Sequence, residues 1–182
     1  GEIAYLADIT RPTVALVNNA QREHLEFMHT VEAVARENGS VLEALAPDGV
    51  AVFPAADAFT ALWRKLAGTR RCITFGQGHG EVEGDVRCES AQWQGDAWAV
   101  RIATPQGAFD TRLHIAGLHN VTNALAATAC AVAAGVPLAA IAQGLAAFEP
   151  VKGRSRALAL RCQGRAITVV DDSYNANPDS VR

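Results

Sequence analysis

Three polar side chains, His119, Asn120 and Asn123, crowd the entrance of the most regular helical pattern in this chain of 182 residues. Asn120 and Asn123 lie three apart, so both project from one side of a first helical turn. A carboxamide offers a donor and an acceptor together, which suits the edge of a nucleobase. On spacing alone the plainer role comes first: Asn120 can cap the helix by accepting from an orphan N–H, with Asn123 as its polar partner. Farther along, Lys152 and Arg154 set two fixed positive charges beside Gly153, an arrangement suited to phosphate oxygens, which Arg154 can grip bidentately. Asp172 follows a strand-like run, where a carboxylate can accept from paired ribose hydroxyls. Taken alone, Asp171 and Asp172 would also make a turn with Asx capping. His24, with Glu23 and Glu26 close by in sequence, offers a metal or phosphate-side ligand, or is simply a surface loop histidine.

These groups need a frame. Val14–Asn18 is a short apolar run, as expected of a strand buried on both faces. It ends in the polar cluster Asn18–His24, at the strand end where open α/β sheets place ligands. Thr30–Leu45 predicts a helix with Val31, Val34, Leu42 and Leu45 on its apolar face. Asn38 falls on that face and implies a wet site at one end, while Gly39 should weaken the helix locally. Gly49–Phe53 reads as a strand ended by Pro54, Ala58–Ala67 as a short helix carrying Trp63, and Cys72–Phe75 as a third strand. This alternation predicts a mostly parallel sheet with right-handed crossovers, flanked by helices. The run Gly76–Gly80 looks like a phosphate loop, but no helix follows and a flexible turn is expected.

From Asp85 to Ile115 the pattern alternates between hairpin signals at Gln94-Gly95-Asp96 and Pro105-Gln106-Gly107, which adds an antiparallel section. The helix at Asn120 comes next, with Val121, Leu125 and Val132 on one stripe and Gly135 and Pro137 as its stop. Leu138–Phe148 forms another, with Ile141, Leu145 and Phe148 on one face and Pro137 near its first turn. Glu149-Pro150 is the expected domain boundary. Beyond it, Ala157–Arg161 and Ala166–Val170 read as strands that open a second sheet, and both chain ends look cut.

Composition narrows the classes. A hydrophobic fraction of 49% with only 6% aromatic describes an alanine- and valine-rich α/β protein. Net charge is -3 with no basic run, so a nucleic-acid partner lacks its electrostatic footprint. No stretch reads as a membrane span. Cys72, Cys88, Cys130 and Cys162 show no CxxC spacing, which argues against zinc and for thiols in a reducing compartment.

Gly1–Leu6, Val14–Ala20 with His24, Gly117–Ala127, Phe148–Arg154 and Asp171–Asp179 together resemble the Mur ligases, ATP-dependent amide ligases of bacterial peptidoglycan synthesis. The run from Asp171 to Pro178 is most similar to the branch that adds D-alanyl-D-alanine to UDP-N-acetylmuramoyl-tripeptide. The resemblance implies that residues 1–149 are most of a central ATP-binding domain, and 150–182 the start of a Rossmann-like C-terminal ligase domain. Flanking domains of the same polypeptide would lie outside the chain, and the fragment alone is expected to be inactive. It further implies ATP and Mg²⁺ as cofactors, a cytoplasmic setting, and service to cell wall biogenesis, cell shape and division.

By that resemblance His24 would ligate a Mg²⁺ near the γ-phosphate. His119, Asn120 and Asn123 would line the adenine site, with Asn123 the best placed for a direct hydrogen bond. Arg154, with Lys152, would reach the γ-phosphate, Asp172 would hold the ribose, and Asn175 and Asn177 would sit near the dipeptide. Three departures stand out. No glycine-rich loop ending in Gly-Lys-Thr or Gly-Lys-Ser is present. Asn38 stands where the family commonly has a carbamylated lysine bound to Mg²⁺, and Pro54 and Ala56 stand where Asn and Asp are usual. A noncatalytic nucleotide-binding module and a folylpolyglutamate synthase-like ligase are the alternatives, the latter disfavoured by Ser173–Pro178.

Overall fold

The computed structural model describes residues 1–21, 28–77 and 83–174. Helix α1 (Glu2–Thr10) leads to strand β1 (Val14–Leu16). Helix α2 (Val31–Glu43), strand β2 (Val50–Pro54), helix α3 (Thr60–Ala67) and strand β3 (Arg71–Gly76) follow. Strands β4 (Val86–Trp93), β5 (Trp98–Thr104) and β6 (Gly107–Leu113) then run into helices α4 (His119–Ala133) and α5 (Leu138–Ala146). Strands β7 (Arg156–Cys162) and β8 (Arg165–Asp171) form a separate hairpin.

One six-stranded sheet carries the fold, in the order β1-β2-β3-β4-β5-β6. Strands β1 to β4 pair in parallel, and β5 and β6 extend the sheet antiparallel, so the mixed α/β architecture expected from the sequence is what forms. Alternation along the strands sorts side chains between two cores. Val50, Val52, Ile73 and Phe75 pack with Val121, Leu125 and Val132 of α4 on one face. Ala15, Ala51 and Phe53 pack with Leu42 of α2 and Trp63 of α3 on the other. Val121, Leu125 and Val132 are all buried, as their spacing predicts.

Several local expectations change on contact with the structure. Gly39 does not weaken α2 for nothing. It is buried, and a Cβ there would come 2.5 Å from Leu66 Cδ1 and 3.0 Å from Trp63 Cδ1. The glycine lets α3 approach closely enough for Trp63 Nε1 to donate to the Ala35 carbonyl at 2.9 Å. Helix α5 ends at Ala146, so Phe148 lies past it and is half exposed rather than on its buried face. Residues 2–10 carry no obvious helix signal in the sequence, yet α1 forms there. Arg11 ends it in the left-handed conformation, and Glu37 Oε1 accepts from Ile3 N at 3.0 Å.

The hairpin matches the strands read at Ala157–Arg161 and Ala166–Val170, each slightly longer. Gln163 and Gly164 both have positive φ, which a two-residue turn between twisted strands requires.

Candidate functional site

The loop between β6 and α4 sets the site. Gly117 has φ 87, and the His119 ring folds back over it so closely that a Cβ would come 2.5 Å from the imidazole. Only glycine satisfies both demands. Leu118 then occupies the N-cap position with no side-chain cap, because Asn120 N and Val121 N reach the Gly117 and Leu118 carbonyls at 3.1 and 3.0 Å. The capping role open to Asn120 is therefore not the one it takes. Its Nδ2 donates to the Ala116 carbonyl at 2.7 Å and stands 3.0 Å from His119 Nε2, and its Oδ1 accepts from Asn123 Nδ2 at 2.9 Å. Asn120 is buried, whereas Asn123 is exposed and accepts at Oδ1 from Asn18 Nδ2 at 3.0 Å. Gln77, at the end of β3, also donates to the first turn of α4, to Thr122 Oγ1 at 2.7 Å.

The segment after α5 turns sharply at Val151–Arg154. Arg154 N donates to the Val151 carbonyl at 3.0 Å, and Gly153 takes φ 80 at the third position. A Cβ on Gly153 would stand 3.0 Å from Tyr174 N, so the turn and the end of the hairpin are in contact. The Arg154 guanidinium lies over the Tyr174 ring, 4.5 Å from its centroid. Asp172 Oδ1 accepts from Ser155 N at 3.0 Å, and the Ser155 carbonyl accepts from Ala116 N at 2.8 Å. Beside it, the Ser173 hydroxyl donates to Asp171 Oδ1 at 2.7 Å. That bond holds the Asp171 carboxyl below the usual carboxylate range, helped by backbone N–H groups and by Lys152.

These pieces share one cleft of about 920 Å³. His119, Asn120 and Asn123 of α4 line it together with Arg154, Asp172 and Tyr174. Leu113, Ile115, Leu145 and Phe148 give it an apolar lining. An apolar cleft with a few convergent polar groups is the usual form of a small-molecule site. Lys152 sits on the same turn but does not line the cleft. His24, Asn175 and Asn177 lie outside the described residues. Asn38 is half buried and donates from Nδ2 to the Asn19 carbonyl at 3.3 Å, so it fastens the loop after β1 to α2. Among the described residues no three His, Cys, Asp or Glu side chains gather as a metal site.

Sequence reasoning passed over Asn18, Tyr174 and Ser155. Asn18 belonged to a polar cluster already placed at a strand end, and Tyr174 stands inside the Asp171–Pro178 run, so both had a signal. Ser155 contributes backbone atoms, which no residue type announces.

Comparison with known proteins places the fold and the family. The Mur ligase middle domain family matches residues 1–131. UDP-N-acetylmuramoyl-tripeptide--D-alanyl-D-alanine ligase of Escherichia coli (strain K12) is 33% identical over 181 residues, covering 100% of this chain and 39% of that protein. A crystal structure of MurF from Acinetobacter baumannii superposes with a TM-score of 0.86 at 35% identity, over 100% of this chain and 38% of the other. The fold is also that of MurF from Thermotoga maritima, determined in complex with ADP, at a TM-score of 0.78 and 23% identity over 99% and 40% of the two chains. The chain thus spans about two fifths of the curated relative's length. With its matched residues covering well over half of its length, the chain belongs to the Mur ligase family through the middle domain.

Proposed function

We propose that this chain is the nucleotide-holding part of an ATP-dependent amide ligase that joins D-alanyl-D-alanine to UDP-N-acetylmuramoyl-tripeptide in peptidoglycan precursor synthesis. The enzyme would be cytoplasmic, and no helix among the described residues is long and apolar enough to cross a membrane. The observation that carries the reading is the shared cleft. Carboxamides on α4, the Arg154 guanidinium and the Asp172 carboxylate, far apart in sequence, line one cavity.

The donor set fits an adenine nucleotide. Asn123 presents a donor and an acceptor to a base edge, Asp172 can accept from ribose hydroxyls, and Arg154 can swing from Tyr174 toward phosphate oxygens. When bound, ATP supplies a phosphoryl group to the substrate carboxylate, and the dipeptide amine then displaces phosphate to leave the amide. Arg154 would spread the negative charge that this transfer concentrates. Lys152, exposed on the same turn, would add to the positive field from outside the cleft. Mg²⁺ would arrive with the phosphates and be held largely by their oxygens and by water. His24 would contribute a protein ligand. Asn38 does not fit an anionic ligand's role, since it is a neutral amide already spent on the Asn19 carbonyl. Asn175 and Asn177 would face the dipeptide.

Residues 1–149 would form the ATP-binding unit and 150–182 the start of the ligase domain, and the chain by itself would turn over no substrate. Calorimetric titration with ADP tests the reading. Binding should weaken at least about fivefold in Asn123→Ala and in Asp172→Ala, the size of one lost hydrogen bond. Base contacts that persist unchanged in Asn123→Ala would remove the adenine assignment.

A further inference from the structure

An unbroken file of hydrogen bonds crosses the site. Asn18 Nδ2 donates to Asn123 Oδ1 at 3.0 Å, Asn123 Nδ2 to Asn120 Oδ1 at 2.9 Å, and Asn120 Nδ2 to the Ala116 carbonyl at 2.7 Å. Ala116 N continues it to the Ser155 carbonyl at 2.8 Å, and Ser155 N to Asp172 Oδ1 at 3.0 Å. A free carboxamide can turn either way, because its oxygen and nitrogen are nearly the same size. Here one member cannot turn. The Ala116 carbonyl only accepts, so it must face the Asn120 NH₂. That points Asn120 Oδ1 at Asn123, which must answer with its own NH₂. Asn123 Oδ1 is left facing Asn18, whose NH₂ completes the file. Reversing any one amide sets two oxygens or two NH₂ groups against each other.

We propose that Asn18 is a positioning residue that fixes which way the Asn123 amide points, and so selects a 6-aminopurine over a 6-oxopurine in the cleft. The inference rests on the nucleotide reading above. Asn123 keeps one lone pair on Oδ1 and one hydrogen on Nδ2 for a ligand. That pair matches the adenine edge on which the exocyclic amine donates and the adjacent ring nitrogen N1 accepts. A 6-oxopurine presents the reverse pair on that edge, O6 accepting and N1–H donating, so both would be opposed unless the Asn123 amide turned. With Asn18 in place, turning the amide to suit guanine forfeits two hydrogen bonds. Without Asn18 it forfeits one, and discrimination falls.

Asn18 is exposed, just past β1 and outside the buried core, so its substitution should leave the fold intact. The test compares ADP and GDP affinities, by calorimetry, for the unaltered chain, Asn18→Leu and Asn18→Asp, with thermal unfolding of each as a control. The unaltered chain should prefer ADP. The ADP-to-GDP affinity ratio should fall about fivefold in Asn18→Leu, one neutral hydrogen bond's worth. It should fall further in Asn18→Asp, where two oxygens oppose each other. A ratio unchanged in both variants while ADP still binds overturns the inference alone. Equal losses for both nucleotides, tracking a lowered melting temperature, also overturn it, since they mark a merely structural role. Failure of the unaltered chain to bind ADP overturns the nucleotide reading and the inference together.

Discussion

Replacing Asn120 by aspartate alters almost no volume and tests the hydrogen-bond file at its anchor. In the native chain Asn120 Nδ2 donates to the Ala116 carbonyl at 2.7 Å, and the residue is 9% exposed. A carboxylate would set an oxygen against that carbonyl instead, while its other oxygen kept the Asn123 N–H. Losing the bond costs about 1 kcal/mol, and a buried acceptor facing an acceptor adds about 2 kcal/mol, for a total near 3 kcal/mol. The cost vanishes on protonation, because the resulting O–H donates where the NH₂ did. The folded state therefore holds the substituted carboxyl's pKa above its unfolded value. Stability should match the parent below the ordinary carboxylate range, fall as pH rises through it, and level off above the raised folded value. At about 1.4 kcal/mol per pH unit, 3 kcal/mol spans about two units, so the loss is complete near neutrality. Urea denaturation of Asn120→Asp and the parent from pH 4.5 to 8 reads the difference directly. Asn120→Ala is the control, with a loss of about 1–2 kcal/mol at every pH. A deficit in Asn120→Asp that is absent, or constant across that range, would refute the donor–acceptor direction argued for the whole file.

Two further outcomes are expected. Gly39→Ala gains up to about 1 kcal/mol of helix propensity but forces its methyl against Leu66 and the fully buried Trp63, at about 2 kcal/mol of overpacking. A net lowering of the denaturation midpoint, with altered tryptophan fluorescence, is the predicted reading, and a raised midpoint would contradict the close-approach argument. Ser173→Ala removes the hydroxyl that chiefly lowers the Asp171 pKa, so the Asp171 carboxyl should titrate at higher pH by NMR. An unmoved midpoint would mean that the Ser173 contact does not persist in solution.

The parts of the fold that sequence reveals are those where period and burial coincide. Val121, Leu125 and Val132 repeat at helical spacing and are buried, so α4 was legible before any coordinates. Strands β2 and β3 announced themselves by apolar runs bounded by glycine and proline. Helix α1 did not, because Tyr5, Leu6 and Ile9 are exposed and mix with the buried Ala7, which blurs any single stripe. Gly39 misled for a related reason: propensity ranks a glycine by its own helix, and here the neighbouring helix decides.

The site shows the same division more sharply. Residue types alone brought Asn120, Asn123, Arg154 and Asp172 forward, since amides, a guanidinium and a carboxylate each suit part of a nucleotide. What they touch is not local. Asn123 leans on Asn18, more than a hundred positions earlier, and Asp172 is held by a backbone N–H of Ser155. Backbone groups are identical in every residue except proline, so no sequence pattern marks Ala116 or Ser155 as links. Yet these two link the segment after β6 to the hairpin, and the Ala116 carbonyl sets the direction in which every amide of the file must point. The Asn123 and Asp172 sides of the cleft are joined through main-chain hydrogen bonds, and substitutions at Ala116 or Ser155 that spare the backbone should leave that link in place.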